Sequence, residues 1–196
     1  QKANVSEEEK MQCMEYIMAE SKNLLQLSYT MLDMAKIRNE EFSVEEFDLC
    51  EVEEQINSRM TSICVEREVT LSSDICVQKI NANKVLFISL ISNLVQNSIY
   101  ACENGGQVSW GIDEMNDTVR LYVKDNGCGM TEEQLNRVKE PFYRVDKARS
   151  REEGRTGLGL AICAEIVEYH KGQMEIQSEM GKGTNIFVKF PVKFTV

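Results

Sequence analysis

The chain has 196 residues, 42% of them hydrophobic, which is enough for one well-buried domain with an appendage or for two small domains. Its 22 Lys and Arg residues against 32 Asp and Glu give a net charge of −10, which disfavours broad binding to nucleic acids or anionic membranes. Seven cysteines without a Cys-x-x-Cys pair indicate reduced thiols in a cytoplasmic protein rather than disulfides or a zinc site, and no apolar run predicts a signal peptide or a membrane span.

Glycine and proline are confined to the second part of the chain. All eleven glycines and both prolines lie at Gly105 or later. Since these two residue types interrupt regular structure most strongly, the first half is predicted to be mostly helical. The second half is predicted to contain the turns and the functional site.

The first predicted element is a long helix over residues 6–38, which begins with Ser6 and Glu9 as a capping box. One set of residues recurs alternately three and four positions apart: Met14, Ile17, Ser21, Leu24, Ser28, Met31 and Ala35. This heptad spacing predicts a partner helix. The alternative is an amphipathic helix that lies on its own domain.

Short strands and a helix follow an acidic connector. A strand is predicted within residues 42–49, and Asp48 is predicted to cap a helix that ends near Glu66. Two further short strands are predicted near residues 69–71 and 76–80.

A second helix is predicted from Asn81, as its N-cap, to about Cys102. The helix is apolar around most of its circumference, Val85 included, so it is expected to be buried against a sheet. Asn93 and Asn97 lie four residues apart on one face of it. These amides either bond to backbone carbonyls, as buried amides usually do, or offer their oxygens to Mg²⁺ together with substrate phosphates.

Asp125 follows a predicted hairpin of strands near residues 107–112 and 118–124. An ionised carboxylate only accepts hydrogen bonds, so it suits a ligand that presents an amine. Gly127 and Gly129 carry no Cβ, which lets a flat ring lie against the main chain. These residues predict the floor of a purine pocket, and an ordinary Asn-Gly turn between two strands is the alternative.

A short helix is predicted near residues 131–138, and an irregular segment over residues 139–155 follows it. The segment contains six cations: Lys139, Arg144, Lys147, Arg149, Arg151 and Arg155. A cation-rich loop in an acidic protein is interpreted as a mobile cover for an anion or as a solvated, partly disordered loop.

Residues 154–160 (Gly-Arg-Thr-Gly-Leu-Gly-Leu) precede a helix predicted over residues 161–169. Free N–H groups at a helix start, together with the helix dipole, favour a phosphate. Rossmann and P-loop motifs are excluded, because no third glycine completes a dinucleotide fingerprint and residues 181–184 lack the Walker spacing. Strands near residues 173–178 and 185–190 flank that last turn.

Four motifs in this order resemble the catalytic and ATP-binding domain of sensor histidine kinases, within the wider family that includes gyrase, MutL and the heat-shock chaperones. Residues 93–97 resemble the N box, residues 125–129 the first glycine box, residues 140–145 the F box and residues 156–162 the second glycine box. The resemblance covers roughly residues 42–196.

The resemblance implies an α/β (α+β) two-layer sandwich, with a mixed sheet of about five strands backed by three helices and preceded by a long N-terminal helix. It implies an ATP-binding catalytic domain over residues 41–196, and a partial dimerisation and phosphotransfer helix over residues 1–40. The phosphoacceptor histidine would lie on a hairpin helix missing from this chain. The implied partners are that missing helix, within a homodimer of the parent protein, and the receiver domain of a response regulator. This chain would be cytoplasmic, and its parent could be anchored in the bacterial inner membrane.

The resemblance also implies ATP and Mg²⁺ as ligands and assigns residues to them. Asn97 would bind Mg²⁺ with support from Asn93, Asp125 would accept a hydrogen bond from the adenine amine, and both amides with Arg144 would serve catalysis. Tyr143 would pack beside the base, and Arg144 and Lys147 would reach the phosphates. The other implied nucleotide-binding residues are Tyr100, Gly127, Gly129, Thr156, Gly157, Leu158, Gly159, Leu160 and Thr184.

Asn93 favours one branch of the wider family. Hydrolysing relatives carry a Glu at the matching position, and an amide cannot take a proton from water at neutral pH, so phosphoryl transfer to a separate acceptor is expected. The alternatives are a non-catalytic nucleotide-binding regulatory module and an ATP hydrolase.

The chain departs from the family pattern in two places. Many histidine kinases carry Lys and Tyr where this chain has Tyr100 and Ala101, so one phosphate contact is in question, for which Lys147 or Arg144 could compensate. The only histidine, His170, is expected to be a cationic ring that stabilises a helix C-terminus rather than a phosphoacceptor.

Overall fold

The structure is a computed structural model that describes residues 43–115, 118–145 and 157–191, with single positions and short runs between residues 10 and 32. Every described residue of that N-terminal stretch is helical and exposed, including Met14, Ile17 and Leu24. The predicted capping box, and the later heptad positions Met31 and Ala35, lie outside the described residues. The partner helix therefore stays a prediction.

The elements from residue 45 onward alternate between strands and helices. In chain order they are β1 (Glu45–Asp48), α1 (Leu49–Arg67), β2 (Thr70–Ile75), β3 (Lys79–Ala82), α2 (Lys84–Ala101), β4 (Gln107–Met115), β5 (Thr118–Asp125), α3 (Glu132–Arg137), α4 (Gly159–Tyr169), β6 (Gln173–Glu179) and β7 (Gly183–Pro191). Among these described helices, none combines the length and hydropathy that a membrane span requires.

Five strands form one mixed sheet in the order β2-β4-β5-β7-β6. Strands β2 and β4 are parallel, and the other neighbours are antiparallel. Helices α1, α2 and α4 pack against this sheet, and their apolar residues share one buried core with the strands. The predicted two-layer sandwich of a five-stranded mixed sheet and three helices is confirmed.

Local sequence signals explain where α1 begins and ends. Asp48 caps the helix as predicted, because its Oδ1 accepts a hydrogen bond from Cys50 N at 2.8 Å. At the other end Glu68 has a φ of 53°, and its N–H donates to the carbonyls of Cys64 and Val65. The buried residues of α1 recur along one face that packs on the core: Leu49, Val52, Ile56 and Met60.

Two predictions for α2 are wrong. Asn83, not Asn81, is the N-cap, and its Oδ1 accepts from Leu86 N at 2.9 Å. Asn81 lies in β3 and pairs with Glu46 of β1, a tertiary contact that extends the strand past the predicted helix start. Val85, in the first turn of α2, is 72% exposed rather than buried.

The hairpin of β4 and β5 determines the position of Asp125. The two strands pair from Met115 and Thr118 to Val108 and Asp125, which confirms the predicted hairpin. On its other side β5 pairs with β7, so that Asp125 lies opposite Thr184. The last residue of β5 is therefore placed between two neighbouring strands and under the end of α2.

Candidate nucleotide-binding site

The carboxylate of Asp125 is held by hydrogen-bond donors from three parts of the chain. Its Oδ1 accepts from Gly127 N and from Thr184 N, each at 3.0 Å. The side chain of Ser98 on α2 also donates to the carboxyl group. A carboxylate has about four acceptor positions, so these three bonds leave it able to accept one more from a ligand.

Burial and hydrogen bonding have opposite effects on the Asp125 carboxyl group. Burial raises its pKa above the ordinary 3.8, whereas the bonds from Ser98, Gly127 and Thr184 act to lower it. The larger effect is desolvation. The group is thus an acceptor withdrawn from water, which is the environment in which a hydrogen bond to a ligand amine contributes most.

The two glycines after Asp125 have a different role from the one expected from the sequence. A Cβ on Gly127 would lie 2.5 Å from the carbonyl oxygen of Ala101, and Cys128 N donates to that same oxygen at 3.0 Å. Gly129 has a φ of +65°, and a Cβ there would overlap the carbonyl oxygen of Glu179. The space on the Cβ side of each glycine is filled by protein. The absence of a Cβ therefore lets the backbone of residues 127–129 pack against the end of α2 and the β6–β7 turn.

The β6–β7 turn completes the floor. Gly183 has a φ of +95°, and a Cβ on it would overlap the carbonyl oxygen of Asp125. Thr184 is buried, and its Oγ1 lies 2.9 Å from Ser178 Oγ. Thr184, which the resemblance placed at the nucleotide, reaches the floor through its backbone amide on Asp125.

Asn93 and Asn97 of α2 face the start of α4. Asn93 Nδ2 donates to Ser89 O at 2.9 Å, which leaves Oδ1 on the opposite side of the amide. A Cβ on Gly159 would lie 3.1 Å from Asn93 Oδ1 and 3.5 Å from Asn97 Nδ2. Without a Cβ on Gly159, only a narrow space separates the first turn of α4 from both amides. Amide oxygens and the N–H groups of a helix start are groups that Mg²⁺ and phosphates bind.

The residues around Gly159 contribute backbone rather than side chains to this space. Leu158 is buried and stands at the N-cap of α4 without a side-chain cap, and Leu160 packs against the core. Gly157 has a φ of +73°, and its carbonyl accepts from Phe142 N at 3.0 Å. The start of α4 is thereby joined to the first part of the cation-rich segment (residues 139–155).

The described part of the cation-rich segment, residues 139–145, carries two predicted site residues. Tyr143 is half-buried, and the guanidinium of Arg137 lies 4.5 Å from the centre of its ring. Arg144 is also half-buried. The remaining predicted residues of this region, Lys147 and Thr156, lie outside the described residues.

Several residues with a role at the site were not predicted from the sequence. Ser98 was missed, although a serine within the apolar face of α2 is a signal for a buried hydrogen bond. Asn126 was also missed, and its Oδ1 accepts from Gln107 N at 2.7 Å to fix the start of β4. Tyr100, which the resemblance assigns to the nucleotide, contacts the guanidinium of Arg67, 4.6 Å from the ring centre, and no local pattern indicates that contact.

The expectation of a cationic His170 is wrong. The ring is 3% exposed, its Nε2 accepts from Asn83 N at 3.3 Å, and its Nδ1 lies 2.8 Å from Ile166 O. An accepting Nε2 requires the neutral ring with the proton on Nδ1. Burial lowers the pKa of His170 below 6.5, which the bond to Ile166 only partly offsets.

Comparison with known proteins assigns this arrangement to a family. Residues 82–193 match the model of the histidine kinase-, DNA gyrase B-, and HSP90-like ATPases. The chain is 31% identical over 192 residues to the sensor histidine kinase YclK of Bacillus subtilis, a match that covers 96% of this chain and 40% of YclK.

Solved structures share the fold. Full-length ShkA in complex with AMPPNP matches with a TM-score of 0.78 at 21% identity, over 99% of this chain and 41% of that one. Histidine kinase ThkA in complex with the response regulator TrrA matches with a TM-score of 0.72 at 20% identity, over 91% and 51%. The family match spans more than half of the chain, so the chain belongs to the histidine kinase-, DNA gyrase B- and HSP90-like ATPases, and its resemblance to the catalytic domain of sensor histidine kinases is confirmed.

Proposed function

We propose that this chain is the ATP- and Mg²⁺-binding core of a sensor histidine kinase, which transfers the terminal phosphoryl group of ATP to a histidine outside these residues. The observation that carries the proposal is the position of α2 between two motif segments. Its end contacts Gly127 beside Asp125, and its middle faces Gly159 with Asn93 and Asn97. A base at the first contact and phosphates at the second would lie along one helix.

The residues present fit a magnesium ion better than a softer metal. Asn93 and Asn97 offer only neutral amide oxygens, so most of the coordination would come from phosphates and water, as Mg²⁺ prefers. Asn97 would hold the ion with support from Asn93. When bound, Mg²⁺ neutralises part of the phosphate charge that develops during transfer.

The environment of Asn93 supports transfer over hydrolysis. Its Nδ2 donates to the backbone of Ser89 at 2.9 Å, and its oxygen is an amide acceptor that does not act as a base at neutral pH. No proton acceptor for an attacking water is thus offered by Asn93. Phosphates at the start of α4 would instead be positioned by its N–H groups, with Arg144 and Lys147 as the proposed cations.

The state of His170 supports an acceptor outside the chain. It is the single histidine of the sequence, it is buried, and both of its nitrogens are engaged within the protein. The chain spans 40% of the length of YclK, so the whole protein's activity is part of the proposal. Residues 1–40 would form half of the dimerisation and phosphotransfer hairpin, and a response-regulator aspartate would receive the phosphoryl group. The parent would act in the cytoplasm, free or anchored to the membrane.

The test uses calorimetry and radiolabelled ATP on the same preparation. The chain is expected to bind Mg²⁺-ATP and to remain unlabelled, and an added hairpin from the parent protein is expected to acquire an acid-labile phosphate. Asn97→Ala should abolish labelling of the hairpin, whereas Gln96→Ala, at the exposed neighbouring position, should not. Steady phosphate release without any acceptor, or label on His170, would contradict the proposal.

A further inference from the structure

Ser98 is the single side chain among the three described donors to the Asp125 carboxylate. The other two donors are the backbone amides of Gly127 and Thr184, each 3.0 Å from Oδ1. Ser98 lies on α2, is 3% exposed and donates through its hydroxyl group. It comes directly after the segment that resembles the N box, so none of the four motifs assigns it a role. A substitution can remove this donor while both backbone donors remain.

The two backbone bonds use one side of the carboxylate. Each oxygen of an ionised carboxylate offers about two acceptor positions. Both backbone amides donate to Oδ1 of Asp125 and so fill the positions on that oxygen. The positions that remain are on Oδ2, where the Ser98 hydroxyl group and a ligand amine would share one oxygen.

A shared oxygen makes the hydroxyl group a determinant of where the ligand amine can lie. The second side-chain torsion of aspartate is broad, so bonds to Oδ1 alone leave the direction of Oδ2 loosely defined. A hydroxyl group bonded to Oδ2 restricts that torsion and directs the free acceptor position to the other side of the oxygen. Because Ser98 is buried, the bond lies in a region of low dielectric constant, where it is stronger than in water.

Ser98 also connects the two ends of the proposed site. It directly follows Asn97, and a Cβ on Gly159 would lie 3.5 Å from Asn97 Nδ2. Successive residues of a helix point about 100° apart, so one turn of α2 bonds Asp125 and presents Asn97 to the start of α4. The bond from Ser98 therefore fixes the position of Asn97 relative to the strand end at Asp125.

We infer that Ser98 is a positioning residue that directs the remaining acceptor position of Asp125 to a ligand amine and so sets the preference for purines with a 6-amino group. The inference rests on the proposed function, because it takes the base at Asp125. A nucleotide whose base lacks this amine cannot use the acceptor position. Its affinity should therefore not depend on the Ser98 hydroxyl group.

A purely structural role of Ser98 predicts a different result. Loss of a bond that only stabilises the fold would weaken the binding of every nucleotide to the same extent. Ser92 provides a matched control on the same helix, because its Oγ is buried and has no hydrogen-bond partner among the described residues. Ser92→Ala is thus the same chemical change without the loss of a bond.

The experiment compares ATP with purine riboside 5′-triphosphate, which lacks the 6-amino group, by calorimetry with Mg²⁺ on the whole chain. Ser98→Ala is expected to lower the affinity for ATP about fivefold, the equivalent of one hydrogen bond, and to leave the affinity for the analogue unchanged. Ser92→Ala should change neither affinity.

The pH dependence of the ATP affinity is the second measurement. The Ser98 bond lowers the pKa of Asp125 against the larger effect of burial, so without it the carboxyl group takes up a proton at a higher pH. The ATP affinity of Ser98→Ala relative to the wild type should therefore fall further as the pH is lowered. Two thiols lie nearby: Cys102 on α2, whose pKa burial and the Asp125 charge raise to about 11, and Cys128. The residues of β4 and β7 that pair with Asp125 carry no charge.

Each outcome has a separate meaning. If the wild-type chain binds neither triphosphate, the proposed function fails and this inference fails with it. If the wild type binds both with equal affinity, or if Ser98→Ala resembles Ser92→Ala, ATP binding stands and only the inference is overturned. Equal losses for ATP and the analogue in Ser98→Ala would show a structural role and would also overturn it. Thermal unfolding of each variant confirms that the compared proteins are folded.

Discussion

Asp125 and His170 are ionisable side chains withdrawn from water near opposite ends of α2. They differ in whether their hydrogen bonds within the protein leave a position for a ligand. Three donors within the protein use most of the acceptor capacity of the Asp125 carboxylate, and one position remains for a ligand. His170 has two nitrogens, and Asn83 and Ile166 occupy both.

The comparison shows that burial of a titratable group does not by itself indicate function. His170 closes the start of α2 onto the end of α4, in a place where Asn83 also caps α2 and donates to Ser43 O at 3.0 Å. Asp125 instead lies at the end of a strand, and its three hydrogen bonds within the protein leave one acceptor position of the carboxylate for a ligand. The remaining hydrogen-bond capacity of Asp125 is what the proposed ligand would use, and His170 offers none of it.

The largest expected effect tests how rigidly the Asp125 end is built. Gly183→Ala combines an unfavourable φ of +95° with overlap on Asp125 O, and should cost about 3 kcal/mol or more in free energy of unfolding. Gly181→Ala is the matched control in the same turn, because its φ is +77° but the space around it is open, and it should cost about 1 kcal/mol. Urea denaturation measures both, and equal losses would contradict a closely packed floor.

The second prediction concerns the acceptor position that remains on the Asp125 carboxylate. In Asp125→Asn the amide oxygen is expected to stay with Gly127 N and Thr184 N, so that the NH₂ group faces the ligand and opposes an adenine amine. Adenine nucleotide affinity should fall at least about tenfold, the equivalent of one charged hydrogen bond. Calorimetry with Asp113→Asn as the control, a carboxylate bonded to Arg120 on β5, separates this effect from the loss of one negative charge.

The smallest expected effect is the pH dependence of stability, which has opposite signs for His170 and Asp125. His170 has a lowered pKa in the folded state, so below pH 6.5 the unfolded chain binds the proton more readily and stability is lost as pH falls through the folded value. Asp125 has a raised pKa, so between 3.8 and its folded value acidification favours the folded state.

Denaturation curves at several pH values measure this difference. His170→Gln should cost about 1 kcal/mol at neutral pH through its lost bonds and should reduce the loss of stability on acidification. Asp125→Asn should remove the contribution of opposite sign at lower pH. Identical pH profiles for His170→Gln and the wild type would show that the ring is not held neutral.

Local patterns predicted the parts of the fold that depend on neighbours in the chain. Asp48 as a cap and the hairpin before Asp125 follow from short-range signals, and both are confirmed. Asn81 and Asn83 both precede the helical pattern, and only the pairing of Asn81 with Glu46 decides between them. That pairing is a tertiary contact which periodicity does not contain.

At the site, too, the features that depend on contacts between distant parts of the chain could not be predicted from local patterns. The approach of Gly159 to Asn93 joins residues far apart in the chain, and only the ordered motifs and their family resemblance indicated it. The stack of Arg67 on Tyr100 depends on how α1 and α2 end beside each other, which neither motif nor composition reveals. The Cβ sides of Gly127 and Gly129 were assigned to a ligand because a sequence does not show which backbone lies beside them.

A crystal structure of this chain with a non-hydrolysable ATP analogue and Mg²⁺ tests the central claim most directly. The account predicts the adenine amine within hydrogen-bond distance of the Asp125 carboxylate, with the phosphates at the first turn of α4 and the ion at Asn97. An analogue bound with its base away from Asp125, or an empty site at saturating nucleotide, would contradict it.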